Sequence, residues 1–432
     1  MGTFYKIQSL LSSDLNKKLF NSSFWILFGN IISKFSFLLA TIIMARYMGK
    51  EEYGQFGIIK STILMFAMFA GLELGMTATK YISQYRNSDK PLIERIIGIS
   101  NFFAITISLL ISIGVFFFSK KIADQIAAPQ LYKEIQISSF ILFFSSINGV
   151  QNGILNGLEK FKIVSINNAI AGVISSLALI ISMLYFSLDG IIIAFGSNFV
   201  LLFIFNYVSL KKNFYNEYKI TLFDKNNFKE LKVLWHFSLP AILAGLMVSP
   251  VIWYCNYTLV NQKSGYQEMA VFDIANQWRN TILFIPAALS QIALPLLASN
   301  LKNKEEYKVI FKKNLKLNLY IAIFFVISFV ILAPVIISFY GPKYSNALAP
   351  MIVMFITTGF IAVNNVIGQA IASQGKMWLG FFVNCLWAIS LIISNYILVV
   401  YFKLGALGIS IAYLISYSFH SLLQFIYIKR KL

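Results

Sequence analysis

Charge is scarce in this chain of 432 residues. Only 12% of the side chains are Asp, Glu, Lys or Arg, and only 17 of those are acidic. A soluble globular chain carries about 25% charged residues, so a water-soluble domain of this length is excluded. Cysteine is nearly absent as well. Cys255 and Cys385 both sit inside apolar runs, which excludes a disulfide framework and a cysteine-based zinc site. They read as small hydrophobes at helix contacts. The two histidines, His236 and His420, are isolated, and the sequence assigns them no chemistry and no metal. A phosphate-binding loop is missing too. The nearest approach, "GQAIASQGKM", has six residues between Gly368 and Gly375, and Met377 follows Lys376, so ATP hydrolysis is not expected. Residues 1–23 lack an apolar core ending in a small-residue cleavage site. They read as a cytoplasmic lead-in able to lie on a membrane, not as a cleaved signal.

What the chain has instead is apolar surface: 58% of residues are hydrophobic and mean hydropathy is +0.72. A bilayer-spanning helix needs about 20 mostly apolar residues. Twelve stretches qualify: 24–45, 54–77, 96–119, 135–156, 163–187, 189–209, 233–260, 269–299, 317–340, 347–372, 376–400 and 405–428. The expected fold is an all-α polytopic membrane protein with short connections. The net charge of +19 does not point to nucleic acid once it is sorted by loop. Of the 36 basic residues, 25 fall in the N-terminus, the loops after even-numbered spans and the C-terminus. Eight fall in the opposite loops, and Lys34, Lys60 and Arg279 lie inside spans. The positive-inside rule then places both termini in the cytoplasm, with the basic loops against anionic membrane lipids.

The longest basic loop divides the spans six and six. The expected organisation is a lead-in 1–23, an N-terminal six-helix lobe 24–209, a cytoplasmic linker 210–232 and a C-terminal six-helix lobe 233–428. The halves resemble each other weakly. "MGKEEYGQFG" opens span 2 with Gly49 and, seven residues later, Phe56; "KSGYQEMAVFD" opens span 8 with Gly265 and Phe272 at the same interval. "NGLEKFKIVSINNAI" and "SQGKMWLGFFVNCL" form a second pair, each with an Asn (Asn167 or Asn168, and Asn384) past a tight basic turn. Both halves start on one side of the membrane, so the repeats are parallel. Such repeats suit alternating access around a midplane site.

A cation at mid-bilayer costs about 2.5–3.5 kcal/mol on insertion scales and marks a functional site by default. Lys34 is the centre of a polar stripe with Asn30, Ser33 and Thr41 on span 1, and no acid lies near it in sequence. Lys60 and Arg279 fall on the corresponding spans 2 and 8. Aligned on Phe56 and Phe272, they are offset by three positions, about 4.5 Å of helical rise. Asp273, Asn276, Gln277 and Asn280 add polarity to span 8, and Pro286 and Pro295 are expected to kink it. Local neutralisation, with Asp273 pairing Arg279, stands beside the functional reading. Three cations with few acids suit an anionic ligand such as phosphate or diphosphate. The candidate binding residues are Lys34, Lys60, Arg279, Asn30, Asn276 and Asn280, and Glu73 and Asp273 are weak candidates for coupling to a proton or sodium gradient.

The stretch "FGNIISKFSFLLATIIMARYMGKEEYGQFGIIKS", with Arg46, Met48-Gly49 and Tyr53-Gly54-Gln55-Phe56, resembles the opening of the Wzx-type polysaccharide and O-antigen flippases. These belong to the multidrug/oligosaccharidyl-lipid/polysaccharide exporter superfamily. "YGPKYSNALAPMIVM", "ASQGKMWLGFFVN" and "NYILVVYFKLGALGISIAYLISY" resemble its last three helices. The resemblance implies a V-shaped pair of six-helix lobes, as in multidrug exporters of that superfamily, and a monomer. It implies a transporter rather than an enzyme, one that flips an undecaprenyl-diphosphate-linked oligosaccharide to the outer leaflet of the bacterial inner membrane for polysaccharide or lipopolysaccharide biosynthesis. It further implies contact with polysaccharide-assembly proteins. Related lipid II flippases line their cavity with cations on the first, second and eighth helices, where Lys34, Lys60 and Arg279 fall here; two of these are lysines where arginine is usual. Many relatives carry an acid near the end of helix 7, where this chain has Asn256. A multidrug exporter is the alternative within the superfamily, but three bases would repel its cationic cargo. A membrane enzyme of polysaccharide assembly is the alternative of another class. The longest outer loop, roughly 120–134, shows no paired carboxylates to serve one.

Overall fold

The computed structural model describes residues 14–71, 74–231, 248–299, 303–374 and 376–431, and these are helical nearly throughout, with no strands among them. The helices are α1 (Asp14–Met48), α2 (Lys50–Gly71), α3 (Leu74–Tyr85), α4 (Lys90–Gln125), α5 (Tyr132–Gly157), α6 (Phe161–Tyr185), α7 (Leu188–Leu210), α8 (Ser249–Val260), α9 (Gly265–Ser299), α10 (Lys304–Ser338), α11 (Leu348–Ser373), α12 (Met377–Asn395) and α13 (Gly405–Lys431). Among the described residues, nine helices are long and apolar enough to cross a membrane. Two expected spans, α5 and α9, are not among them. Both have the length, 26 and 35 residues. The run "SSINGVQNG" lowers the hydropathy of α5, whereas in α9 the polar residues Asp273, Asn276, Gln277, Arg279 and Asn280 are confined to the first half and 282–299 is apolar and uncharged. The first half of the expected span 233–260 falls outside the described residues.

Backbone contacts group the chain into two compact units: residues 1–40, 70–114 and 138–239 in one, and 41–69, 115–137 and 240–432 in the other. Each unit is built from three separated stretches, because α1 and α4, at 35 and 36 residues, contribute one end to each.

The first unit has a core of Leu74, Ile82, Ile97, Ile154, Leu210 and Phe214, among others. α3 and α5 meet where Gly75 lies against Gly149 and Gly153: a methyl group at Gly153 would strike the Gly75 backbone, and one at Gly75 the Gly149 backbone. Thr79 Oγ1 donates to the Gly153 carbonyl at 3.1 Å. Small residues at helix crossings let backbones approach in this way. Behind them, Asn167 Nδ2 donates to Asn206 Oδ1 at 2.9 Å and Asn206 Nδ2 to Asn152 Oδ1 at 3.1 Å, joining α6, α7 and α5. The described part of the expected linker, 210–231, is anchored in this unit. Phe214 and Tyr218 are part of its core, Arg95 pairs with Glu230 at 2.8 Å, and Asn227 Nδ2 donates to the Thr221 carbonyl at 2.7 Å.

In the second unit, α2 lies against α9. Gly54 sits on the backbone of Tyr266, and Gly57 touches Met269 and Asp273. Two glycines three residues apart open a groove on α2 that α9 fills. Tyr53, Phe56 and Phe272 are fully buried there. The Tyr-Gly-Gln-Phe motif thus encodes a helix crossing. α11 packs with α9, α10 and α13 to complete the unit.

Candidate functional site

The residues expected at the site divide between the two units. In the first, Lys34 is exposed at mid-helix on α1 and Asn30 is half-buried one turn away. Their neighbours Gly29 and Ser33 are pressed against Ser165 and Gly172 of α6, which sets the rotation of α1. Glu73 lies outside the described residues.

In the second unit the close α2–α9 crossing brings Lys60 to Asp273. Lys60 Nζ donates to Asp273 Oδ1 at 2.9 Å and Oδ2 at 2.8 Å. Their side chains are 12% and 7% exposed, so this pair is largely removed from solvent. Tyr53 Oη donates to Asp273 Oδ2 at 3.3 Å, and the Lys60 ammonium lies 5.5 Å from the Phe56 ring centre. Gln277 Nε2 donates to Thr41 Oγ1 at 2.7 Å, Asn256 Nδ2 to Ser61 Oγ at 2.7 Å, and Trp253 Nε1 to Thr62 Oγ1 at 2.9 Å. The position where many relatives carry an acid is therefore an amide tying α8 to α2. Asp273 satisfies Lys60, not the Arg279 on its own helix.

Arg279 is 5% exposed and has no acidic partner among the described residues. Its Nη2 donates to Asn280 Oδ1 at 3.1 Å, and its guanidinium lies 4.9 Å from the Tyr413 ring centre, within cation–π range. Nε and Nη1 are buried with no hydrogen-bond partner, as is Asn276 Oδ1 one turn back. A planar, permanently charged fork with two open donors in a buried setting is matched to an anion with several oxygens. Nothing in the sequence separates Arg279 from Lys60 in this respect; the distinction comes from which cation Asp273 reaches. An open cavity of about 620 Å³ lies at the α1–α2 turn, lined by Lys50, Glu51, Glu52, Gln55, Gln267 and Lys343 among others. Its mixed charge favours neither sign of ligand.

Residues 43–349 match the model of a family described as polysaccharide biosynthesis proteins. The chain belongs to that family. Among curated relatives, an EPS I polysaccharide export inner membrane protein of Ralstonia nicotianae is 28% identical over 171 residues, which are 39% of this chain and 39% of the relative. The chain thus spans about two fifths of that relative's length. A candidate O-antigen transporter of Shigella flexneri is 24% identical over 424 residues, 94% of this chain and 97% of the relative. Among solved structures, a multidrug resistance MATE family transporter in its inward-facing conformation superposes with a TM-score of 0.74 at 17% identity, covering 92% of this chain and 94% of that one. The lipid II flippase MurJ, inward closed, gives 0.74 at 18% identity, covering 93% and 86%. At such identities the likeness is one of fold. The member of the polysaccharide biosynthesis family described here is a membrane protein, helical nearly throughout its described residues, with the fold shared by those MATE and MurJ structures.

Proposed function

We propose that this chain is a secondary transporter that flips a lipid-linked oligosaccharide, carried on a polyprenyl diphosphate, from the inner to the outer leaflet of the bacterial inner membrane. One observation carries the reading: Arg279 is buried and charged with no acidic partner among the described residues, while the acid on its own helix is occupied by Lys60. A buried cation without a counter-ion costs several kcal/mol, and a ligand phosphate would remove that cost. Asn280 and Asn276 stand on either side to take further oxygens or sugar hydroxyls. Family membership and the relatives' names support polysaccharide export as the setting, with membrane lipids and polysaccharide-assembly proteins as its partners. The loop charges support cytoplasmic termini.

Lys34 is a second cationic candidate, tested by itself. Lys60 acts in this reading as a latch between α2 and α9 that a phosphate could engage only by separating it from Asp273. A proton or sodium gradient supplies the energy, and Asp273 is the acid that exchange of that ion would affect.

Binding of a short-chain prenyl diphosphate to the purified protein in nanodiscs tests the site. The wild type should bind. Arg279→Ala should weaken binding by about tenfold or more, the loss of a charge-assisted contact, and Arg279→Lys should recover part of it. Equal binding by wild type and Arg279→Ala would remove Arg279 from the substrate site. Tighter binding of a lipophilic cation than of the diphosphate would favour a multidrug exporter.

A further inference from the structure

α13 carries polar groups that the transport reading does not use. Tyr413, Tyr417, His420, Gln424 and Tyr427 recur at steps of four, three, four and three residues, which places them on one face. They extend for about 21 Å at 1.5 Å per residue, against a hydrocarbon core of about 30 Å. This face is packed inside the unit: Tyr413 is fully buried, His420 is 8% exposed and Gln424 is 5% exposed, whereas Ile415, Phe419 and Leu422 on the same helix are exposed. Cations stand at both ends. Arg279 lies over Tyr413 at 4.9 Å and Lys376 over Tyr427 at 5.4 Å, and the Trp387 ring centre is 5.2 Å from that of Tyr417.

The hydrogen-bonding capacity of this file is largely unused by protein. Among the described residues, Tyr413 Oη, Trp387 Nε1, His420 Nδ1, Gln424 Oε1 and Tyr427 Oη are buried without a hydrogen-bond partner. Gln424 Nε2 lies 3.5 Å from His420 Nε2. Buried polar groups left unpaired cost free energy, and a whole file of them on one helix face suits a path that water enters. Hydroxyl, amide and imidazole groups both donate and accept, which suits proton passage.

We propose that this face of α13 is a water-lined proton track within the second unit, and that His420 is its proton-binding residue. The step is simple: His420 Nδ1 gains a proton from water reaching it past Tyr427 and Gln424, the ring becomes imidazolium, and the same N–H bond breaks on return. Apart from tyrosines, the titratable or charged groups on the packed elements are Glu268, Asp273 and Arg279 from α9, Cys255 from α8, and Cys385 with the preceding Lys376 from α12; Glu268 Oε2 accepts from Ala406 N at 2.7 Å at the start of α13, and α11 contributes none. Histidine is the side chain whose ordinary titration falls in the physiological range.

The test needs no glycan, so its failure is separate from failure of the transport reading. His236→Asn leaves His420 as the single histidine, and ¹⁵N-histidine labelling in nanodiscs then reports it alone. The expected result is a reversible shift of both ring nitrogens as the pH is lowered from about 8 to the limit of folding, with the ring N–H exchanging with water. Gln424→Leu should slow that exchange, and Phe419→Leu on the exposed face should leave it unchanged. A ring held as one neutral tautomer across that range, without water exchange, would overturn the proposal and make the file structural packing. If Gln424→Leu fails to fold, the titration of the single-histidine protein still decides.

Discussion

Arg279 and Lys60 illustrate how much depends on one carboxylate. By residue type and position they are equivalent candidates, and the sequence allowed Asp273 to neutralise Arg279 six residues on. Six residues is not a helical contact spacing; the crossing of α2 over α9 delivers Lys60 to Asp273 instead. Such long-range pairing is not legible in one sequence, because it depends on which helices meet and at what height. A double-mutant cycle checks it. Lys60→Met alone or Asp273→Asn alone should lower thermal stability markedly, by about 3–5 kcal/mol for a buried pair broken on one side. The double variant Lys60→Met/Asp273→Asn should regain most of the loss. Additive losses would mean that the two side chains do not interact. Outside the membrane spans, burial, and then the nearby Glu51, push the Tyr266 hydroxyl up to about 12; it donates to the Ala127 carbonyl. A folded-state value above the unfolded one of about 10 means that the contribution is present below pH 10 and is lost as pH rises from there through 12. Tyr266→Phe should flatten this alkaline loss in a pH series of melting temperatures.

At the scale of elements, hydropathy marked the apolar stretches and undercounted the helices around them. α4 and α10 run to Lys90–Gln125 and Lys304–Ser338, well past the expected 96–119 and 317–340. A hydropathy window follows the hydrocarbon thickness, whereas a helix continues into the headgroups where its charged residues are solvated. The basic 304–316 stretch, expected to be a loop, is the first part of α10, and its cap was readable: Asn303 Oδ1 accepts from Glu306 N at 3.3 Å and Asn303 Nδ2 donates to Glu306 Oε2 at 3.1 Å, an asparagine form of the capping box. Helix contacts make a sharper prediction. Gly54→Ala would drive a methyl group into the Tyr266 carbonyl and should destabilise the α2–α9 crossing by about 1–3 kcal/mol. Gly114→Ala on α4 meets nothing within 4 Å and should be neutral or stabilising by up to about 1 kcal/mol. Melting temperatures in detergent distinguish the two; equal shifts would contradict the close α2–α9 approach.

For the whole molecule, the sequence carried the class and family plainly, because net apolarity and a long matching stretch are properties of the chain itself. The grouping of helices was less legible. The contiguous halves 24–209 and 233–428 follow from counting spans, while the compact units take in both ends of α1 and α4 separately, a consequence of helix length that no loop count records. Orientation is testable at this scale. Reporter fusions active only in the cytoplasm should work after residue 225 and at the C-terminus, and should fail at Lys263; the reverse pattern would overturn the charge argument.

The most direct measurement of the central claim is outward translocation of a polyprenyl-diphosphate-linked oligosaccharide in reconstituted vesicles. The wild type should move the lipid under an imposed ion gradient, Arg279→Ala should not, and Arg279→Lys should do so in part. Translocation by Arg279→Ala at the wild-type rate would contradict the claim that this buried arginine holds the lipid phosphate.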